Sequence, residues 1–319
     1  MSMPIDDLIQ KNVPLAPLTT FRVGGPARYF FSPQTDENLL AASAWAKEKN
    51  LPVFILGGGS NLLVSDQGFS GLVVKPANRQ ILIHGQRLDA GAGASLARAA
   101  MTAASQNLSG LEWSVGIPGA TLGGAVRGNA GAFGRAIGEL VETVKAYDRN
   151  AGRFTVFSRK DCRFAYRESI FFHQPHLLLW QIGLKLETAE REKIDRLAKQ
   201  SADFRRRHYP QLPSAGSIFK NLDAQNARLA NPEFFASAQA AGAVKDGQLA
   251  AGFVIDRGLN LKGKMIGGAK VSLEHANHIV NTGSATAAQI MAMIVLIKNR
   301  AASELHLVLE EEIKILGNF

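Results

Sequence analysis

Between Gly116 and Gly134 the chain reads GIPGATLGGAVRGNAGAFG, in which glycines at 116, 119, 123, 124, 128 and 131 alternate with Ala120, Ala125 and Ala130. A stretch with so little side-chain volume cannot build a core of its own, so its value lies in letting a backbone approach something closely. Two readings follow. Small residues at this spacing allow close helix packing, and they equally allow a large flat ligand to press against the main chain. A second cluster, Gly57, Gly58, Gly59, Ser60 and Asn61, follows the apolar run VFIL, and consecutive peptide N–H groups there can form an anion-binding nest. A tight loop would use the same residues.

Familiar glycine fingerprints fit poorly. Leu62 stands where the third glycine of G-x-G-x-x-G belongs after Gly57 and Gly59, and Leu96 does so after Gly91 and Gly93, which argues against a Rossmann dinucleotide site. Gly258, Gly263 and Lys264 imitate phosphate-loop spacing, but Met265 replaces the hydroxyl that would hold magnesium.

Around these loops the pattern is α+β. Helical spacing covers Asp36 to Asn50, Ser95 to about Asn107, the charged run after Glu187 and about Ala285 to Ala302. Strands are expected at VFIL, LLVS, LVVK, the hairpin ILIHGQRLDAGAGA, VETVKAYD, RFTVF, LLLWQIGLKLE and the tail ELHLVLEEEIKIL. Composition shifts suggest three parts, 1–76, 77–188 and 189–319. No apolar run approaches the ~20 residues of a bilayer span, and the N-terminus, with Asp6 and Asp7, lacks the features of a signal peptide, so a cytoplasmic protein is expected.

A single cysteine, Cys162, cannot form an intrachain disulfide or a thiolate metal site, so any redox chemistry must come from a bound cofactor. The surplus of 36 Lys plus Arg over 27 Asp plus Glu favours anionic partners. A nucleic-acid binder is one alternative, prompted by Arg205, Arg206, Arg207 and His208, but the basic residues are scattered and no binding motif with interleaved aromatics accompanies them. The pairs His173/His176 and His275/His278 lack an evident third ligand, and no metal is expected there.

Seven collinear segments carry more information than any one of these features. They are TTFRVGGPA (19–27), LGGGSNLLVSDQGFSGLVV (56–74), GIPGATLGGAVRGNAGAFG (116–134), FAYRES (164–169), AGSIFKN (215–221), GGAKVSLEHANHIVN (267–281) and LEEEIKILG (309–317). Together they resemble the UDP-N-acetylenolpyruvoylglucosamine reductase (UDP-N-acetylmuramate dehydrogenase) family. The resemblance implies two FAD-holding subdomains of the vanillyl-alcohol oxidase type and an α+β substrate-binding domain.

It also implies a tightly bound, non-covalent FAD, with NADPH as co-substrate and UDP-N-acetylglucosamine enolpyruvate as substrate, in a monomer that binds neither membrane nor nucleic acid. Cofactor contacts would come from Arg22, Gly57, Gly58, Gly59, Ser60, Asn61, Gly116, Pro118, Gly119, Gly123, Gly124 and Asn129. Arg167 and Glu312 would stabilise charge on the substrate carboxylate, Glu312 as a protonated donor, and Ser217 would deliver the proton. Glu312 is chosen over Glu310 and Glu311 because the family pattern is Leu-Glu-Pro-Glu, and Glu311 stands where that proline would be. Lys220, Asn221, Asn277, Arg207 and Lys314 would contact substrate, with Lys314 in place of the commoner arginine. The short stretch from Phe171 to Leu179 leaves little room for the tyrosine-bearing insertion of some members, which places the chain with the shorter class. Another FAD oxidoreductase of the same fold is the other reading kept open.

Overall fold

The computed structural model describes residues 5–319. The chain is α+β and divides into two compact units, each made of discontinuous segments. The first takes residues up to Val13, then Ala27–Gly59 and Phe69–Arg207; the second takes Pro14–Pro26, Ser60–Gly68 and His208–Phe319. Residue 76 separates two sheets within the first unit, and residue 188 precedes the helix Arg191–His208 of that same unit.

In the first unit, one sheet runs in the spatial order Gln10–Pro14, Pro26–Phe31, Phe69–Val74, Val53–Ile55, and its last three strands are parallel. The helix Asp36–Glu48 starts where the Thr35 side chain accepts the Asn38 N–H, satisfying one of the donors a helix start leaves open. Its buried Leu39, Ala42, Trp45 and Ala46 pack on Phe31, Leu72 and Val74, and on Tyr147, Leu178 and Trp180 of the other sheet. Burying one such large side chain is worth about 1.5–3 kcal/mol. Asp36 adds polar ties, accepting from Trp180 Nε1 and Lys145 Nζ.

The other sheet is antiparallel, in the order Arg153–Ser158, Val141–Asp148, Leu177–Lys185, Arg87–Gly91, Ile81–His84. Alternation predicted these strands because alternate residues meet the core, here Val144, Ala146, Ile182 and Leu184. The helix Leu96–Ser105, capped by Ser95, covers that core together with a short helix, Leu122–Arg127, capped by Thr121. This second helix lies inside the glycine-rich tract, where the pattern was too poor in large side chains to announce it.

The second unit is organised on the helix Ala287–Leu305. Thr286 and Gln289 form a reciprocal capping box at its start, and the Asp66 carboxylate accepts from the Ala287 and Ala288 N–H groups. The apolar run along it is core: Ile290, Met293, Ile294 and Ile297 are fully buried against Phe21, Leu63, Ile218 and Phe219. A three-stranded antiparallel sheet, Met265–Ile266, Ala269–Val271 and Ile279–Asn281, completes this packing. Among the described residues no helix is long and apolar enough to cross a membrane.

The tail departs from expectation. The preceding helix runs on to Leu305, and only Lys314–Leu316 forms a strand, parallel to Leu62–Val64. The alternation is real, since Leu307, Leu309 and Ile313 are buried while Val308 is 82% exposed. A strand also needs a neighbouring ladder. At Glu310–Glu312 the chain instead bonds an irregular loop, through Lys220 N–H to Glu310 O (2.9 Å) and Glu312 N–H to Ile218 O (2.7 Å).

Candidate active site

In the first unit three glycine loops converge. Gly57–Gly59 follow the carboxyl end of Val53–Ile55, and a Cβ on Gly58 would lie 1.6 Å from the Gly119 carbonyl oxygen. One on Gly57 would lie 2.7 Å from Thr121 Oγ1. The Gly91–Ala94 turn joins them: Leu122 and Gly123 donate to Ala94 O and Ala92 O, both at 2.9 Å, and a Cβ on Gly93 would meet Pro76 O at 2.2 Å. Gly91 and Gly93 do not make a dinucleotide fingerprint, yet they belong to the same place. Their signal was the run AGAGA, which is legible only as permission for close approach.

Thr121 was not expected to matter. Its hydroxyl caps the short helix by accepting the Gly124 N–H and also fills the space beside Gly57. The N–H groups of Gly57 and Gly58 donate to no backbone acceptor among the described residues. Pro118 and Gly119 are exposed, and Gly119 holds a φ of +66° that few side-chain-bearing residues adopt.

Arg167 lies in this unit, in a tight turn closed by reciprocal 3.1 Å bonds between Ala165 and Glu168. Its φ is +56°, and its guanidinium donates to Gly131 O at 3.1 Å. Asn129 supports this turn. Its buried amide donates to Ala165 O (2.7 Å) and accepts from the Gly138 N–H (3.0 Å), while Ser169 Oγ donates to Arg127 O (2.7 Å). The arginine run at the end of the Arg191–His208 helix divides by environment. Arg205, only 5% exposed, donates to the carbonyl oxygens of Trp113 and Val115; Arg206 pairs with Asp203; Arg207 is exposed.

The second unit gathers Ser217, Glu312, Asn61 and Asn277. Asn277 O accepts the Ile218 N–H (2.8 Å), and its side-chain amide both accepts the Phe219 N–H (3.0 Å) and donates to Phe219 O (2.9 Å). Glu312 lies alongside this loop through its bond to Ile218 O, and Asn61 Nδ2 donates to Glu312 O at 3.0 Å. Lys314 N–H donates to Asn61 O, also at 3.0 Å. Ser60 is half-buried in the same unit, and Arg22 is exposed at a φ of +57°. Glu310 and Glu311 are committed to lysines, to Lys220 and Lys298 respectively, each at 2.7 Å. Asn221 Oδ1 accepts the Ala251 N–H at 3.2 Å.

Behind Asn277, the rings of His275 and His278 lie 4.7 Å apart, with Tyr209 against both. His275 Nδ1 accepts the Asn277 N–H at 3.3 Å. Burial lowers the pKa of His275, and burial followed by the neighbouring His275 pushes His278 down to about 3. The sequence marked these histidines only by spacing. Their place, beneath the serine loop, is a property of the fold.

Residues 27–156 match an FAD-binding domain, and residues 207–316 match the UDP-N-acetylenolpyruvoylglucosamine reductase C-terminal domain. Reductases of that name from Solibacter usitatus and a Synechococcus strain are 36% and 37% identical, the alignments covering 97% and 98% of this chain and 97% and 92% of theirs. The crystal structure of the enzyme from Thermus caldophilus superposes with a TM-score of 0.77 at 32% identity, covering 97% of this chain and all of that one.

This chain belongs to the UDP-N-acetylenolpyruvoylglucosamine reductase family. It is therefore an FAD-dependent oxidoreductase of peptidoglycan precursor synthesis, with the α+β fold class expected from its sequence. The residues present fit the cofactor. Peptide donors at Gly57 and Gly58 that meet no backbone acceptor among the described residues suit the diphosphate of FAD, and the exposed backbone at Gly119 and Gly124 can approach its ring system closely.

Proposed function

We propose that this protein reduces the enolpyruvyl group of UDP-N-acetylglucosamine enolpyruvate to give UDP-N-acetylmuramate, with NADPH as the source of reducing equivalents. Bound FAD supplies the hydride-carrying chemistry. The polypeptide's task is to bind, polarise and protonate. The conjugated carboxylate of the substrate is already negative and gains electron density as hydride adds, so a cation and a hydrogen-bond donor are needed there; oxyanion-type donors are worth about 2.7–4 kcal/mol each. Arg167 supplies the cation. Glu312, protonated, supplies the donor.

The adjoining carbon then becomes basic enough to take a proton from the Ser217 hydroxyl. The observation that supports this reading is the hydrogen-bonded pairing of Ile218–Phe219 with Glu311–Glu312, which brings the backbone next to Ser217 alongside that of Glu312. Arg207, Lys220, Asn221 and Lys314 remain candidates for contacts to the anionic sugar nucleotide, and Asn277 acts by fixing the loop.

The test is to follow NADPH oxidation with and without UDP-N-acetylglucosamine enolpyruvate, then to repeat it with Ser217→Ala. The variant is expected to keep flavin reduction by NADPH near the wild-type rate, while product formation falls by about 10²–10⁴-fold, the usual worth of a positioned acid. Equal loss of both half-reactions in a folded variant would remove the proton-donor role. Absence of substrate-dependent NADPH oxidation in the wild type would remove the whole reading.

A further inference from the structure

Lys75 is a half-buried charge that none of the chemistry above uses. It follows the strand Phe69–Val74, and its N–H continues the sheet by donating to Phe31 O at 2.9 Å. Its ammonium reaches under the first glycine loop and donates to Gly57 O at 2.6 Å. Among the described residues no carboxylate pairs with it, and the one other charge acting on it is Arg79, also a cation. Burial first, and that neighbour second, hold its pKa below the ordinary lysine value.

An ammonium partly withdrawn from water beside another cation is disfavoured, and an arriving counter-charge relieves it. Its position shows where an anion would come from. The parallel strands Pro26–Phe31, Val53–Ile55 and Phe69–Val74 all end at this edge, and ligands of α/β sheets bind beyond such carboxyl ends. The N–H groups of Gly57 and Gly58, which meet no backbone acceptor among the described residues, are at the same edge. On the other side, Pro76 and Asn78 carry the Gly91–Gly93 turn, since Cβ atoms on Gly91 and Gly93 would meet Asn78 O and Pro76 O at 2.0 and 2.2 Å.

We propose that Lys75 is a cofactor-anchoring residue whose ammonium, held against Gly57 O between two glycine loops, supplies the counter-charge for the diphosphate of FAD. The inference rests on the family's cofactor and adds a side-chain cation to a site otherwise built from backbone.

The experiment dilutes the holoenzyme and follows the fluorescence of released FAD. Lys75→Gln can still donate to Gly57 O but carries no charge, whereas Lys75→Arg keeps the charge. FAD release is expected to be about 10- to 100-fold faster in the Gln variant, the worth of a charge-assisted bond, and within about threefold of wild type in the Arg variant. Wild-type release from the Gln variant would overturn the proposal. So would equally fast release from both variants with unchanged circular dichroism, because a purely structural strut would then suffice. If the Gln variant does not fold, wild-type release is measured as salt is raised from about 0.05 to 1 M; acceleration supports the ion pair and a flat profile overturns it. A wild-type protein that holds no flavin at all would count against the cofactor reading rather than against Lys75.

Discussion

Asn277 shows how much a single side chain can hold. With both its amide atoms on Phe219 and its carbonyl on Ile218, it fixes the backbone that follows Ser217. Asn277→Ala would leave a buried N–H and a buried C=O without partners, at about 1–3 kcal/mol for each. The expected result is a lower urea midpoint, together with slower proton delivery to product and little change in flavin reduction by NADPH. A midpoint shift with both half-reactions intact would limit Asn277 to a stabilising role. Cys162 is a simpler case. It is fully buried, and burial, aided by Asp161, pushes its thiol up to about 12, so the native protein should not react with an aromatic disulfide reagent near neutral pH. Reaction before unfolding would contradict this placement.

At the scale of elements, the glycine loops separate two reasons for lacking a side chain. Gly58 faces protein: its Cβ would overlap the Gly119 carbonyl, so Gly58→Ala must displace one loop from the other. Gly124 is exposed on its short helix, and a Cβ there would meet only Thr121 Oγ1, at 3.3 Å. Gly124→Ala is expected to fold with a thermal midpoint near that of the wild type but, if this exposed backbone faces the cofactor as proposed, to purify with much less flavin. Gly58→Ala is expected to lose both. Full flavin content in Gly124→Ala would remove that glycine from the cofactor surface. The tail teaches a related lesson. Its alternation correctly marked Leu307, Leu309 and Ile313 as inward-facing, but the ladder that makes a strand depends on a neighbour the local sequence does not contain.

Across the whole molecule, the buried imidazole of His278 links stability to pH. Its folded value of about 3 lies below its ordinary 6.5, so the unfolded chain takes up a proton that the folded chain refuses. Stability should therefore fall as pH drops from about 6.5 towards 3, at up to about 1.4 kcal/mol per pH unit from this one group. His275, likewise held low, adds to the effect, and its protonation would compete with the Asn277 N–H for Nδ1. Urea midpoints measured between pH 7 and 4.5 should decline less steeply for His278→Phe than for wild type. Superimposable slopes would show that the imidazole is not held neutral by the fold.

The sequence by itself determined the long helices and the strands of the larger sheet, because hydrophobic spacing is a local record of which face is buried, as at Trp45 or Ile294. Its seven ordered motifs also pointed to the family and its cofactor, because functional backbone and side-chain types recur at fixed places along the chain. Tertiary structure alone decided that Gly93 belongs with Gly57, that Asn129 braces the Arg167 turn, that Arg205 is spent on carbonyl oxygens, and that Lys75 is half-buried with no acidic partner among the described residues. Those are facts about neighbours tens of residues away. Partnership, burial and charge compensation arise only when the folded chain brings such residues together.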